Sequence, residues 1–148
     1  MLDTKVKLFV YGTLMKDFRN YDKYLKGHIL STKQAYTHGE LYHLKHKNCP
    51  ALVQGNDIVY GEAITFYNHD NLTLLQELDK MEEYFEGSPK VMYERRNIKI
   101  YYSDNKEEIA FAYIFIDKTI LNENNSEYIQ SGDWKNYILI NSKKVVRL

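Results

Sequence analysis

A dense apolar strand that stops at a glycine is the feature that most constrains how this chain folds. Residues 6–11 read Val-Lys-Leu-Phe-Val-Tyr, in which β-branched and aromatic residues dominate and one side chain is charged. Such a run is typical of a central strand that is buried on both faces. Gly12 then removes the Cβ at the point where the strand ends. The sequence therefore predicts a chain organised around a buried strand close to its first residues.

Thr13 and Leu14 follow Gly12 before any helical pattern begins. A strand that ends at a glycine can present successive backbone N–H groups to open space, and such groups bind a carboxylate or a developing oxyanion. A tight turn after a core strand is the simpler explanation of an isolated Gly-Thr pair. Both interpretations stay open until other residues of the chain are considered.

Size and charge exclude several classes of protein. The 148 residues predict a single domain, 1–148, which can bury a core without disulfides. Cys49 is the one cysteine, so no internal disulfide can form, and this suits a reducing compartment. We find no signal-peptide layout and no apolar run near the ~18 residues of a membrane span, and therefore expect a cytoplasmic protein without a membrane partner. The 20 basic and 20 acidic residues form no concentrated positive block, which disfavours nucleic-acid binding.

Apolar periodicity and turn residues divide the chain into about six strands, one clear helix and one weaker helix. The strands are expected at 6–11, 31–44, 51–53, 58–66, 93–102 and 108–117, the clear helix at 71–85 and the weaker helix at 20–26. A polar cluster at 54–57 predicts a turn. Gly39 predicts a bulge or sharp bend within its strand, and Gly61 a bend or a close approach. A polar linker at 122–126 and a last apolar piece at 137–140 follow. Many strands joined by short turns predict an α+β protein, a small, partly closed β-barrel with flanking helices.

The helix expected at 71–85 offers a candidate acid/base. Its apolar stripe consists of Leu74, Leu78, Met81 and Phe85. At about 100° per residue, Glu82 falls beside Leu78 at the margin of that stripe, whereas Glu83 falls on the opposite side. A carboxylate on an apolar margin tends to have a raised pKa, which suits a general acid/base. A solvated helix face is the simpler explanation of two adjacent glutamates, and it is not excluded.

Other candidates for chemistry are weaker. His43, His46 and Cys49 stand at three-residue spacing, but a structural zinc site requires four ligands and the sequence has no second cluster. A nucleophilic pair of Cys49 with a histidine is a hydrolase alternative, although a cysteine before Pro50 more simply fills a small apolar site. The chain has neither a phosphate loop nor a dinucleotide fingerprint.

Seven short motifs, taken in order, resemble the γ-glutamylcyclotransferase-like proteins, also called the AIG2-like family. They are Val-Tyr-Gly-Thr-Leu at 10–14, Gly-Glu-Leu-Tyr at 39–42, Pro-Ala-Leu-Val at 50–53, Val-Tyr-Gly-Glu at 59–62, Leu-Asp-Lys-Met-Glu at 78–82, Tyr-Glu-Arg-Arg at 93–96 and Ser-Gly-Asp-Trp at 131–134. Each motif is unspecific alone, but the ordered set covers most of the chain and is fairly specific.

The resemblance implies a small mixed barrel with a cavity at the end of the first strand. In this family a Tyr-Gly-Ser/Thr-Leu loop holds a γ-glutamyl group through backbone amides, and the glutamate of a Leu-Asp-x-x-Glu motif is the acid/base. The matching loop here consists of Tyr11, Gly12, Thr13 and Leu14, and the matching acid/base is Glu82, which the helical pattern selects independently. A glycine commonly follows that glutamate in the family, whereas this chain has Glu83, so the acceptor side of the pocket and the leaving group stay open.

The activity implied by the resemblance is that of a cofactor-independent transferase acting on a small γ-glutamyl compound. The α-amine attacks its own γ-carbonyl, which releases 5-oxoproline and a free amine or amino acid, and neither a metal nor an organic cofactor is needed.

Tyr113 is expected either to line the cavity or to fill the core, and Arg95 either to orient Tyr93 or a loop or to lie at the surface. The alternatives are a non-catalytic module that binds an acidic metabolite and the Cys49 hydrolase. Because a fold alone does not establish activity, the position of Glu82 distinguishes the enzyme from the binding module. A Glu82 side chain that faces the Gly12 loop favours catalysis, and one that lies in open solvent favours binding.

Overall fold

Six strands form a mixed sheet in which five close into a barrel. The computed structural model describes residues 4–68, 73–82 and 92–146. The strands are β1 (Thr4–Val10), β2 (Ser31–Leu44), β3 (Cys49–Asn68), β4 (Tyr93–Tyr101), β5 (Glu107–Phe115) and β6 (Ser126–Tyr128). They lie in the order β3-β1-β5-β4-β2-β6, and β2 also pairs with β3, so β6 extends the ring at β2. The predicted α+β barrel is confirmed. The ring of strands is closed. Two of its strand pairings are short, since the parallel β1–β5 pairing and the antiparallel β2–β4 pairing each contain a single residue pair.

Strand β1 lies in the ring of the barrel between two partner strands. It pairs with β3 along its whole length and with β5 on its other side. Leu8 and Phe9 are buried within a core that includes Ile64, Leu78 and Ile100. A strand with partners on both sides and packing on both faces tolerates few charges, because a buried charge has a high desolvation cost. This explains why the first strand is so densely apolar.

Strands β2 and β3 form a long hairpin, and here one expectation is wrong. β3 runs for 20 residues without interruption, where two strands separated by a turn at 54–57 were predicted. The pairing register shifts between Gly39 and Glu40, which lie opposite Asp57 and Val53. Residues 54–56 are therefore accommodated as a bulge, and cross-strand pairing on both sides overrides their turn preference. A Cβ on Gly55 would lie 2.6 Å from Cγ of Glu40, so a side chain there would obstruct this arrangement.

Two α-helices flank the barrel: α1 (Thr73–Met81) and α2 (Trp134–Val146). α1 lies within the helix expected at 71–85, of which residues 71–72 and 83–85, including Glu83 and Phe85, are outside the described residues. The weaker helix is a π-helical turn at Tyr21–Leu25, and a short 3₁₀ turn follows β5 at Lys118–Ile120. The sequence pattern identified neither α2, which contains the apolar piece at 137–140, nor β6, which begins at the end of the expected linker. In the described part of the chain, no helix combines the length and the apolar character that crossing a bilayer requires.

Helix α2 is attached to the barrel by a buried tryptophan. The indole Nε1 of Trp134 donates a hydrogen bond of 3.1 Å to Nδ1 of His43 on β2. Rings of His43 and Tyr137 lie 4.9 Å apart, and Phe18 packs on Trp134 at 5.1 Å between ring centroids. Because an indole is only a donor, Nδ1 of His43 must be unprotonated to accept it. His43 therefore contributes to the barrel–helix contact as a neutral side chain.

Acidification is expected to weaken this attachment. Burial lowers the pKa of His43 below its usual 6.5, and the charge of Glu127 opposes the shift only in part. The unfolded chain then binds the proton more readily than the folded chain, so stability is lost as pH falls below about 6.5. Emission of Trp134, the single tryptophan, should report the change between pH 8 and pH 5. In a His43→Gln variant, whose amide oxygen accepts without titrating, that pH dependence should disappear; equal pH dependence in both proteins would contradict the assignment.

Candidate functional site

A cavity of about 360 Å³ opens where β1 ends. Its volume lies in the usual range for sites that bind small molecules. All predicted site residues lie in its wall: Tyr11, Gly12, Thr13, Leu14, Glu82 and Tyr113. The start of β3 and the start of β4 add Cys49, Pro50 and Tyr93. The fold therefore brings together five separate segments that lie far apart along the chain.

The loop after β1 is held in place from both sides. A Cβ on Gly12 would lie 2.5 Å from Cγ of Pro50, so only glycine fits against that ring without displacing it. Asn20 donates from Nδ2 to Oγ1 of Thr13 at 2.6 Å, and the N–H groups of Asn20 and Tyr21 donate to the Thr13 carbonyl at 3.1 and 3.0 Å. The N–H of Lys16 donates to the buried carboxylate of Glu62 at 3.0 Å. These contacts leave the loop little freedom to move.

The backbone donors of this loop are not used by the described part of the protein. Within residues 4–68, 73–82 and 92–146, the N–H groups of Gly12, Thr13 and Leu14 have no hydrogen-bond acceptor. All three residues are buried in the cavity wall. Buried N–H groups without partners are rare, since each one forfeits a hydrogen bond to water. Three consecutive donors of this kind suit an anionic or carbonyl oxygen that a ligand brings.

A polar network joins α1 to the barrel beside the cavity. The hydroxyl of Tyr11 donates to the Tyr113 carbonyl at 2.5 Å, and the Tyr113 hydroxyl donates to Oδ1 of Asp79 at 2.7 Å. Arg95 contacts both oxygens of Asp79, at 3.1 and 2.9 Å. Arg95 thus forms an ion pair with Asp79. Neither of the roles expected for Arg95 from the sequence, orienting Tyr93 or a loop or lying at the surface, included this partner. Sequence reasoning missed Asp79, although it is the aspartate of the Leu-Asp-x-x-Glu motif.

Glu82 follows the last residue of α1, and its N–H donates to the Leu78 carbonyl at 3.0 Å. Its side chain is half-buried at the cavity, and no described residue donates a hydrogen bond to the carboxylate. Burial raises the pKa of the Glu82 carboxyl from 4.5 to about 7, while the positive charge of Lys47 opposes the shift. A group with this pKa can accept and return a proton near neutral pH. The helical pattern placed Glu82 toward the interior, and its position in the structure agrees.

Cys49 lies in the same cavity without the surroundings of a nucleophile. Its Sγ is 3.8 Å from the hydroxyl of Tyr93, and burial raises the pKa of the thiol. A reactive cysteine needs a lowered pKa and an adjacent base. His43 packs against Trp134 and His46 is exposed, and no histidine of the described chain lines the cavity. In the same residues, no three His, Cys, Asp or Glu side chains are grouped as metal ligands.

Comparison with known sequences shows which proteins this chain is similar to. The family model described as "Gamma-glutamyl cyclotransferase, AIG2-like" matches residues 8–136. A curated protein of Methanocaldococcus jannaschii, named "Putative gamma-glutamylcyclotransferase MJ1514", is 30% identical over 132 residues. That match covers 88% of this chain and 96% of the archaeal protein, so the two are similar over nearly their whole lengths.

Solved structures show the same architecture. YkqA from Bacillus subtilis superposes with a TM-score of 0.64 at 26% identity over 95% of this chain, which spans only 43% of the YkqA chain. An AIG2-like protein from mouse superposes with a TM-score of 0.62 at 22% identity, covering 85% of this chain and 86% of the mouse chain. At that identity the mouse structure is evidence for the fold alone.

Proposed function

This chain belongs to the AIG2-like gamma-glutamyl cyclotransferase family, and we propose that it converts a small γ-glutamyl compound into 5-oxoproline and a free amine or amino acid. The observation that carries the proposal is the placement of Glu82 and of the loop at 12–14 in the wall of one cavity. A base and a row of free backbone donors are the two elements that this cyclisation requires.

The loop is proposed to bind and polarise the substrate. Oxygens of the γ-glutamyl group accept hydrogen bonds from the N–H groups of Gly12, Thr13 and Leu14, which have no acceptor among the described residues. Donors that are already fixed stabilise the charge that develops on the carbonyl oxygen without having to reorganise during the reaction. The contacts of Thr13 with Asn20 and of Gly12 with Pro50 keep these donors in position.

Glu82 is proposed to move the protons. In its ionised form it takes a proton from the α-ammonium group, which is not a nucleophile until it loses one. The freed amine attacks the γ-carbonyl carbon, a C–N bond forms, and the bond from that carbon to the leaving nitrogen breaks. Glu82 then delivers its proton to the leaving nitrogen, takes the second proton from the new ring nitrogen and passes it to the released amine. The amine leaves as an ammonium ion and Glu82 is again ionised, so protons balance over the cycle. Since nucleophile and electrophile belong to one molecule, the protein mainly has to hold the substrate in the conformation that closes the ring.

The alternative of a non-catalytic binding module is less well supported. Binding an acidic metabolite would use the loop donors but would give no role to a half-buried carboxylate with a pKa of about 7. Placing an ionisable acid in a cavity lined by Tyr11, Tyr93 and Tyr113 has a desolvation cost. Such a cost is common where the shifted pKa serves catalysis.

Product analysis tests the proposal directly. The purified protein is incubated with a panel of γ-glutamyl amines, dipeptides and side-chain conjugates, and we expect 5-oxoproline and the released amine in equal amounts from at least one compound. No 5-oxoproline from any of them would overturn the proposal. A Cys49→Ser variant should keep the activity; its loss, together with inactivation by a thiol reagent, would instead support the hydrolase alternative.

A further inference from the structure

An ion pair lies beside the cavity, one helical turn before Glu82. Asp79 lies on α1 and Glu82 directly after its last residue, so the two side chains are neighbours on the helix surface. Nη1 of Arg95, on β4, donates to both carboxylate oxygens of Asp79, at 3.1 and 2.9 Å. The exposed fractions of the two side chains are 23% for Arg95 and 19% for Asp79, so solvent screens their charges only in part. The reaction as proposed so far gives this pair no role.

Tyr113 connects the ion pair with the cavity. It lines the cavity together with Glu82, and its hydroxyl donates to Oδ1 of Asp79 at 2.7 Å. Burial is the main cause that raises the pKa of the Tyr113 hydroxyl, followed by the hydrogen bond to Asp79. The positive charge of Arg95 lowers this pKa, and the charge of Glu82 raises it. One hydroxyl is therefore within electrostatic reach of both the ion pair and the candidate acid/base.

Other groups around Glu82 come from every element that surrounds the cavity. Lys47, in the turn between β2 and β3, opposes the effect of burial on the pKa of Glu82. Arg19 and Lys23 also line the cavity, before and within the π-helical turn. Burial, with the charge of Glu82 as a lesser cause, raises the pKa of four neutral groups: Tyr11 after β1, Cys49 of β3, Tyr93 of β4 and Tyr113 of β5. To this set the ion pair adds one charge of each sign.

The two charges of the ion pair offset each other at Glu82. A nearby negative charge disfavours an ionised carboxylate, and a nearby positive charge favours it. Asp79 alone would therefore make Glu82 harder to ionise, and Arg95 alone would make it easier. Bonded to each other and to the Tyr113 hydroxyl, they form a group without net charge. The same bonds attach the end of α1 to β4 and β5.

We propose that Asp79 is a positioning residue for the cyclisation, which fixes the end of α1 beside Glu82 and neutralises the charge of Arg95 there. This inference rests on the proposed cyclotransferase function and adds the groups that keep its acid/base working near neutral pH. Neither Asp79 nor Arg95 is among the residues that line the cavity, so both act through Glu82 rather than on the substrate.

Two conservative substitutions with opposite electrostatic effects test the inference. In Asp79→Asn the amide oxygen can still accept from Tyr113, but the charge of Arg95 is no longer balanced. The pH midpoint at which Glu82 ionises should therefore fall by about 0.5–1 unit. In Arg95→Gln the charge of Asp79 is unbalanced, so the midpoint should rise by a similar amount, and the double variant should return to the wild-type midpoint. The measurement is the NMR titration of the Glu82 δ-carbon, whose resonance is identified by its loss in Glu82→Gln.

Opposite shifts distinguish this electrostatic role from a merely structural one. A helix that loosened in both variants would admit water to Glu82 and lower both midpoints, which would overturn the inference, as would midpoints that stay unchanged. Arg96→Gln is the matched control, because Arg96 is the next residue of β4, pairs with Glu94 at 3.1 Å and does not line this cavity. It should leave the midpoint where it is. A shift as large as that of Arg95→Gln would count against the role of the Asp79 pair.

Assays for 5-oxoproline separate this inference from the function on which it rests. In the wild type and the variants, the midpoint of the rise of kcat/KM with pH should follow the NMR midpoint of Glu82. Opposite NMR shifts without 5-oxoproline from any γ-glutamyl compound reject the cyclisation alone. Product formation with midpoints that do not move in opposite directions rejects the role of Asp79 alone.

Discussion

Replacement of Glu82 by glutamine is expected to lower kcat for 5-oxoproline formation by about 10²–10⁴-fold. Glutamine keeps the size and shape of the side chain but cannot accept the proton of the α-ammonium group. Substrate binding through the loop at 12–14 does not depend on this carboxylate, so KM should change much less than kcat. The measurement is steady-state 5-oxoproline production by wild type and variant at pH 8.

The pH profile supplies an independent signature of the same residue. Because Glu82 must be ionised to act as the base, kcat/KM of the wild type should rise with pH and level off above about 7. The residual activity of Glu82→Gln should lack that step. Glu77→Gln is the control, since Glu77 lies exposed on α1 and outside the cavity. Full turnover in Glu82→Gln, or an equal loss in Glu77→Gln, would show that the acid/base is assigned to the wrong residue.

Stability measurements separate lost chemistry from lost structure. The pKa of Glu82 in the folded protein, about 7, lies above its ordinary 4.5, so the folded state holds the proton more tightly than the unfolded state. The contribution of this group to stability is therefore lost as pH rises from about 4.5 through 7. At pH 8 the neutral glutamine should make the variant at least as stable as the wild type. A variant that is inactive and also unfolds more easily would not support the catalytic role.

Gly132→Ala is expected to destabilise the protein by about 2–5 kcal/mol. Gly132 has φ of +69°, where a non-glycine residue costs about 1–2 kcal/mol. A Cβ there would also lie 1.9 Å from the Ile58 carbonyl oxygen, and forcing the backbones apart adds about 1–3 kcal/mol. The Gly132 carbonyl accepts from the N–H of Tyr60 at 2.8 Å, and that bond, which holds the start of α2 against β3, would be strained. Urea unfolding followed by the fluorescence of Trp134 measures the loss.

Gly27→Ala provides the comparison that isolates the steric contribution to the loss of stability in Gly132→Ala. Gly27 has φ of +87°, but a Cβ there would have no neighbour within 4 Å. Its substitution should therefore cost only the backbone term of about 1–2 kcal/mol. Equal losses at the two glycines would mean that the close approach of the 131–134 segment to β3 contributes nothing to stability.

Several features of the site could be anticipated because they depend on local patterns. The apolar composition of residues 6–11 predicts the central strand, and the spacing along 71–85 turns Glu82 inward. The hairpin of β4 and β5 follows from two alternating runs around a polar turn. In contrast, the turn predicted at 54–57 is absent, because pairing of β3 with β2 on both sides absorbs those residues as a bulge. Asp79 was overlooked since its partners, Arg95 and Tyr113, lie on two other elements.

The sequence by itself determined the mixed α+β class and the family motifs, and it led to the prediction that Glu82 is the acid/base, since each of these depends on residues that are close together along the chain. Only the tertiary structure decided which strands close the ring, which backbone donors have no acceptor among the described residues and how strongly burial raises the pKa of Glu82. It also decided that Arg19, Lys23 and Lys47, from two separate segments, surround one opening. The physical reason is that periodicity is a property of neighbouring residues, whereas desolvation and electrostatic potential depend on every group that folding brings within a few ångströms.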